Sequence, residues 1–147
     1  MAAKIGYLDN GHPHLKIRVY GITADLAQEF EAMVDTGFSG FLALPIHQAL
    51  PLALVWHGTS QFNLANGAKN TVMLAFGTVK VGDELVNGTI VIDSPESTPL
   101  LGMEFLRQCD NALIVSKNGV LFVDEAAVEQ ATTRVKDNTN LPPTASS

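Results

Sequence analysis

Apolar and polar residues alternate in several short segments of the chain, as they do in strands that turn one face to a core. Leu15, Ile17 and Val19 alternate with polar neighbours, and the same period returns at 72–76 and 79–81. Such segments are separated or flanked by Asn-Gly pairs, which suit tight hairpin turns because both residues tolerate positive φ. Strands at this spacing, with turn signals between them, predict an all-β sandwich or barrel. The Asn-Gly pairs are Asn10-Gly11, Asn66-Gly67, Asn87-Gly88 and Asn118-Gly119.

Helical signals are few and short. One helical turn is expected at 45–50, with Pro45 at its first position, and a short helix is expected over 102–109. Alanines favour helix just after residue 124, but the segment has little apolar stripe with which to dock, and a polar tail follows it. We therefore expect one folded domain over residues 1–124 and a largely disordered C-terminal extension over residues 125–147.

Composition and charge narrow the range of functions. The chain has 147 residues, of which 46% are apolar and 16% charged, enough for one domain with a buried core. Its net charge of −6, with no basic run, makes nucleic acids and anionic membranes poor partners. The lone Cys109 excludes an intrachain disulfide and, with no signal-peptide pattern at the N-terminus, favours the cytoplasm. The most apolar segment, 41–56, is interrupted by Pro45 and Pro51, so no membrane span is predicted.

The stretch with the clearest candidate chemistry is Met33-Val34-Asp35-Thr36-Gly37-Phe38-Ser39-Gly40. An apolar run leads directly into Asp35, although an unpaired carboxylate is costly to bury. A carboxylate that a strand delivers into a glycine-containing turn is either a turn-forming group or a reactive one. These residues alone leave both interpretations open, because Asp and Gly are also common in ordinary turns.

A second segment, Leu100-Leu101-Gly102, follows a polar loop and precedes the expected short helix. Together with Val34-Asp35-Thr36-Gly37 and the hairpin around Asn66-Gly67, it resembles the pattern of the retropepsin-like aspartic proteases, especially small bacterial and archaeal members. The resemblance covers roughly residues 5–124 in the same order and spacing. It implies an all-β, closed retropepsin-like barrel with one short helix after the Leu-Leu-Gly segment.

The resemblance implies an aspartic endopeptidase that activates water with two aspartates and needs no metal or cofactor. Because the chain has one Asp-Thr-Gly, a homodimer is expected to pair Asp35 with its symmetry mate. Thr36 is expected to hydrogen-bond across the dimer axis, and Gly37 to turn its N–H toward the carboxylate. The substrate is expected to be a peptide or an unfolded protein. The residues expected to bind it are Phe38, Ser39, Asn66 and Gly67 at the flap tip, and Leu100, Leu101 and Gly102.

Some positions depart from the family pattern. Phe38 is bulky where many members have a small residue, and Ser39 and Met103 stand where retroviral members carry an Asp–Arg ion pair. One alternative is therefore a catalytically weak or inactive peptide-binding dimer on the same fold. Another is a β-barrel interaction protein whose Asp35 only forms a turn. The intact Asp-Thr-Gly favours the endopeptidase over both.

The sequence gives little support for a metal site or for a cysteine nucleophile. His12 and His14 would share one face of a strand, but no third metal ligand is evident. Cys109 has no base partner evident in the sequence and is expected to be a small buried apolar residue.

Overall fold

In a computed structural model, which describes residues 3–63, 65–126, 128–130 and 132–133, ten strands form one mixed sheet. The strands are β1 (Ala3–Asp9), β2 (His12–Tyr20), β3 (Gln28–Val34), β4 (Leu42–Pro45), β5 (Val55–Asn63), β6 (Lys69–Val81), β7 (Glu84–Asp93), β8 (Leu100–Leu101), β9 (Asn111–Ser116) and β10 (Gly119–Asp124).

Helices are short in the described part of the chain. Inside the sheet region lie α1 (Ile46–Ala49) and α2 (Met103–Gln108), and 3₁₀ turns cover Ala24–Leu26 and Leu50–Leu52. No helix among the described residues is long and apolar enough to cross a bilayer.

These strands and helices confirm the prediction of a mostly-β fold and of a short helix after Leu-Leu-Gly. Residues 125–126, 128–130 and 132–133 are helical, whereas the tail predicted to be disordered lies, from residue 134 on, outside the described residues.

The strands follow the order β5-β6-β7-β4-β8-β3-β2-β1-β10-β9, and β2 also pairs with β6. Sequence neighbours pair mostly as antiparallel hairpins, but β3 pairs with β8, and β4 with β7, in parallel. Parallel pairing requires a long crossover connection. The crossovers therefore bring the end of β3 and the short β8 together from distant parts of the chain.

Three of the four predicted Asn-Gly turns lie between strands. Asn10 and Gly11 join β1 to β2 with φ values of 51° and 79°, as the tight turn requires. Asn66-Gly67 lies in the connection between β5 and β6. In the β9–β10 turn the pair is offset by one residue, because Gly119 already pairs with Ser116.

The prediction of a turn at Asn87-Gly88 is wrong, because this pair lies inside β7. The chain reverses instead at Gly82, whose φ is 58°. Gly88 serves packing: a Cβ there would lie 2.4 Å from Cγ of Phe41, so the aromatic ring fills the space that a side chain would need. The dipeptide signal cannot distinguish a turn glycine from a strand glycine that lies against a ring.

Strand β4 had no signal of its own in the sequence. All four of its residues are buried, so it shows no alternation of apolar and polar positions. Its last residue, Pro45, is the N-cap of α1, so the prediction that Pro45 occupies the first helical position is wrong by one residue. The core next to β4 includes Phe41 and Phe105, whose ring centroids lie 5.8 Å apart.

Candidate active site

Asp35 follows directly on β3, and β8 lies beside it. The two strands pair in parallel, with Met33 opposite Leu100 and Val34 opposite Leu101. The pairing extends one residue further, since the amide of Asp35 donates a 3.0 Å hydrogen bond to the carbonyl of Leu101. On its other side, β8 pairs with β4. The fold thus brings together the two segments that the sequence singled out.

The Asp-Thr-Gly segment forms a tight turn closed by its own carboxylate. The amide of Gly37 donates a hydrogen bond of 2.9 Å to Oδ1 of Asp35. The amide of Phe38 donates one of 3.1 Å to the carbonyl oxygen of Asp35. Asp35 is half-buried, whereas Thr36 and Gly37 are exposed. The backbone therefore orients the carboxylate of a half-buried residue. This geometry suits an aspartate that only forms a turn and also one that takes part in catalysis.

The loop after the turn is attached to the start of α2. Met103 donates its amide hydrogen to the carbonyl of Phe38 at 2.9 Å, and Glu104 donates to that of Gly40 at 3.1 Å. The residue before the helix is Gly102, which has no side chain that could cap the helix. The loop carbonyls therefore take the place of a cap for amides that lack partners within the helix.

Gly102 is required at its position because the loop passes directly over it. A Cβ on this residue would lie 2.1 Å from the carbonyl oxygen of Gly40 and 2.6 Å from Cδ2 of Phe38. Leu101, just before it, is fully buried in the core, while Leu100 is half-buried. The Leu-Leu-Gly segment therefore packs against the aspartate turn on the side of the core.

The half-buried Phe38 lies with its ring against two glycines. A Cβ on Gly40 would lie 2.6 Å from Cζ of Phe38, and one on Gly102 would lie 2.6 Å from its Cδ2. The next residue, Ser39, is exposed. The ring thus packs on the loop and on the residue before α2.

Asp35 and Thr36 line a cavity of about 450 Å³. The other lining residues come from the start of β2, from β3, from α2 and from β9, and most are apolar. No motif in the sequence links segments so far apart, so these residues were not predicted to share a site. They are His12, Pro13, Met33, Val34, Leu106, Leu113 and Val115.

The predicted flap tip is an exposed hairpin end. Gly67 has a φ of 84°, and the amide of Ala68 donates a 2.9 Å hydrogen bond to Oδ1 of Asn66. Neither Asn66 nor Gly67 is among the described residues that line the Asp35 cavity. Their contact with a substrate stays a prediction.

The histidines and the cysteine have ordinary surroundings. The ring of His14 stacks on Tyr7 at a centroid distance of 5.4 Å, while His12 lines the Asp35 cavity. In the part of the chain that the structure describes, no group of three or more His, Cys, Asp or Glu side chains could hold a metal ion. Cys109 is buried, and burial raises the pKa of its thiol. A raised pKa disfavours the reactive thiolate.

Comparison with known proteins gives similarity at the level of structure alone. No protein-family model matches the chain, and no curated protein matches it. A retropepsin-like aspartic protease from Rickettsia conorii aligns with a TM-score of 0.60 and 21% identity, over 83% of this chain and 89% of that one. The EIAV protease complexed with the inhibitor HBY-793 aligns with a TM-score of 0.57 and 13% identity, over 75% of this chain and 98% of that one.

Proposed function

Because the chain has a retropepsin-like fold, we propose that it is an aspartic endopeptidase. The observation that carries this proposal is the placement of Asp35. It leaves β3 in an Asp-Thr-Gly turn, is held by the carbonyl of Leu101 and by the amide of Gly37, and lines a cavity. A turn that only reverses the chain does not need its carboxylate at a cavity wall. The solved structures with the same fold are named as proteases, one of them in complex with an inhibitor.

Hydrolysis without a metal needs a base and an acid at the same bond. Two aspartates in contact supply both, because two charges about 3 Å apart repel by roughly 5 kcal/mol at an effective dielectric near 20. One proton therefore stays on the pair over a range of acidic pH. The ionised aspartate takes a proton from water while the resulting hydroxide adds to the peptide carbonyl, and the protonated aspartate gives its proton to the carbonyl oxygen. In the collapse of the tetrahedral diol, the nitrogen takes the proton held by the first aspartate, the C–N bond breaks, and one hydroxyl gives its proton to the second aspartate.

A homodimer is part of the proposal, because the chain has one Asp-Thr-Gly. Strand β9 supports it: β9 ends the strand order, and an unpaired strand edge is a template for another chain. Ile114 and Val115 of this strand are 41% and 46% exposed, and Val115 also lines the Asp35 cavity. We propose that a second copy covers this edge about a two-fold axis, which would bring the second Asp35 to the same cleft.

The remaining assignments follow the same proposal. The exposed Thr36 would hydrogen-bond to its mate across the axis, since its hydroxyl both donates and accepts. The Asn66-Gly67 hairpin would close over the substrate and exclude water. Ser39 and Leu100 would contact the bound peptide, with Leu101 and Gly102 behind them. The pairing of β2 with β6 would close the sheet into a barrel, and the cytoplasm stays the predicted location.

The test is cleavage of an unfolded protein by the purified chain at about pH 4 to 6, with and without pepstatin, a transition-state mimic. We expect pepstatin to block cleavage and Asp35→Asn to abolish it while leaving a folded dimer, because the amide cannot serve as a base. The matched control is Asp83→Asn, at an exposed turn residue. Near-normal activity of Asp35→Asn would contradict the proposal. Binding of unfolded protein without cleavage would favour the peptide-binding dimer.

A further inference from the structure

The ring of Phe38 occupies the space between the aspartate turn and the helix that follows β8. A Cβ on Gly40 would lie 2.6 and 2.8 Å from Cζ and Cε1 of Phe38, and its next nearest neighbour would be Cε2 of the same ring at 3.4 Å. A Cβ on Gly102 would lie 2.6 Å from Cδ2. The ring is therefore seated on two residues that carry no side chain, one in the loop and one before α2.

The backbone of Phe38 connects the same two parts of the site. Its amide donates to the carbonyl of Asp35 at 3.1 Å, and its carbonyl accepts from the amide of Met103 at 2.9 Å. Phe38 is therefore joined at one end to the turn that orients the carboxylate and at the other to α2. A movement of this residue would be transmitted to Asp35 through this hydrogen bond and through the adjacent Gly37, whose amide donates to the carboxylate.

The side chains beside this connection cannot form an ion pair across it. Ser39 and Met103 carry no charge, so the loop is joined to α2 by backbone hydrogen bonds and by apolar contact. Each backbone hydrogen bond contributes little net stability, because on folding it replaces hydrogen bonds with water. The seated ring adds a contact that water cannot replace.

We propose that Phe38 is a positioning residue for Asp35, rather than a residue whose main role is to bind substrate. Its ring fixes the loop against Gly40 and Gly102 and thereby holds the turn in which Gly37 donates to Oδ1 of Asp35 at 2.9 Å. The catalytic part of this inference rests on the proposed endopeptidase function. The structural part, that the ring holds the turn, is independent of it.

The first experiment compares the kinetics of Phe38→Ala and Phe38→Leu with those of the wild type. A misplacement of about 1 Å at a reacting group costs on the order of a hundredfold in rate, so we expect kcat of Phe38→Ala to fall roughly ten- to a hundredfold while KM changes less than about twofold. Leucine retains apolar volume and should restore much of the loss. Phe76→Ala is the control, because this phenylalanine is 56% exposed on another part of the sheet.

The second experiment moves the ring without removing it. Gly40→Ala places a methyl group where the ring lies, and the three nearest neighbours of that methyl group all belong to Phe38. We expect Gly40→Ala to lower kcat much as Phe38→Ala does. In the double variant the clash is absent, so the two effects should not add. Additive losses would show that Gly40 acts independently of the ring and would overturn the proposal.

A third measurement does not depend on activity. The amide proton of Gly37 reports its hydrogen bond to Asp35 through its NMR chemical shift and temperature coefficient. We expect both to move toward values of an amide free in water in Phe38→Ala and in Gly40→Ala, and to stay unchanged in Phe76→Ala. All variants are first checked for folding by circular dichroism and thermal melting.

The outcomes separate the two proposals. If the wild type cleaves nothing but the Gly37 amide responds as expected, the endopeptidase proposal fails and Phe38 still positions Asp35. If a folded Phe38→Ala keeps an unchanged Gly37 amide, or raises KM with kcat intact, the positioning role is wrong and Phe38 contacts substrate or serves packing alone.

Discussion

The amide of Asp35 and the carbonyl of Leu101 form a 3.0 Å hydrogen bond that extends the parallel pairing of β3 with β8. This bond fixes the first residue of the turn, and the amide of Gly37 fixes the carboxylate itself. Two backbone groups, one from each segment, therefore orient Asp35, a residue that lines the cavity.

We expect proteolytic activity to peak at acidic pH and to fall on both sides. Loss of the shared proton removes the acid, and uptake of a second proton removes the base. The two limbs of the profile belong to the pair of aspartates and not to either one. Initial rates on one peptide substrate from about pH 3 to 9 give the profile. A flat profile, or inhibition by chelators alone, would indicate a different chemistry.

A mixing experiment tests whether one site is shared by two chains. Wild-type and Asp35→Asn chains are combined in equal amounts and allowed to exchange subunits. If both aspartates are needed, random pairing leaves about a quarter of the dimers active, so activity falls to roughly a quarter of that of the undiluted wild type. Independent sites would retain about half. Subunit exchange is measured separately with labelled chains, since dimers that never exchange also retain half.

The edge of β9 is tested by Ile114→Asp. This side chain is 41% exposed and is not among the described residues that line the Asp35 cavity. On a two-fold interface the two introduced carboxylates would repel, so we expect the dimer dissociation constant to rise at least about tenfold, or ~1.4 kcal/mol. Analytical ultracentrifugation measures the constant. Leu85→Asp, at a residue 59% exposed on β7, is the control, and equal dimer stability in both variants would argue for another interface.

Cys109 provides a prediction about stability at alkaline pH. Burial raises the pKa of its thiol in the folded protein, so the folded state disfavours the thiolate. The unfolded chain ionises first as pH rises, and the contribution of the neutral thiol is then lost. We expect the free energy of unfolding of the wild type to decline from about pH 8.5 upward more steeply than that of Cys109→Ala. Urea unfolding at about pH 7 and 10 measures both, and parallel declines would contradict the assignment.

Local patterns predicted the elements that face water on one side. In β2, Leu15, Ile17 and Val19 are buried while Lys16 and Arg18 are exposed, which produces the alternation seen in the sequence. Strand β4 is buried throughout and leaves no such pattern. Hydrophobic periodicity reports a boundary between core and solvent, so it cannot detect a strand that lies away from that boundary.

The site was predictable only in part for a related reason. Asp35 stood out because a carboxylate after an apolar run is locally unusual, whereas Gly102 gained a role only from the family resemblance. Their proximity was expected from the family resemblance, not from any periodicity. The cavity beside them needed the structure, since Leu106 and Val115 reach it from α2 and β9 through tertiary packing. The position of the Phe38 ring was equally unpredictable from the sequence, because the ring packs against two glycines, Gly40 and Gly102.

The two-residue β8 also has a consequence for the order of events during synthesis. Asp35 leaves the ribosome long before Leu101, and at about 5–20 residues per second the interval is roughly 3 to 13 seconds. Until then the amide of Asp35 lacks the carbonyl of Leu101 as its partner, and the loop after the turn lacks its hydrogen bonds to α2. Pairing between such distant segments is also slow to form in any folding chain. A nascent chain therefore carries the carboxylate before the backbone partner on β8 that helps to orient it has been synthesised.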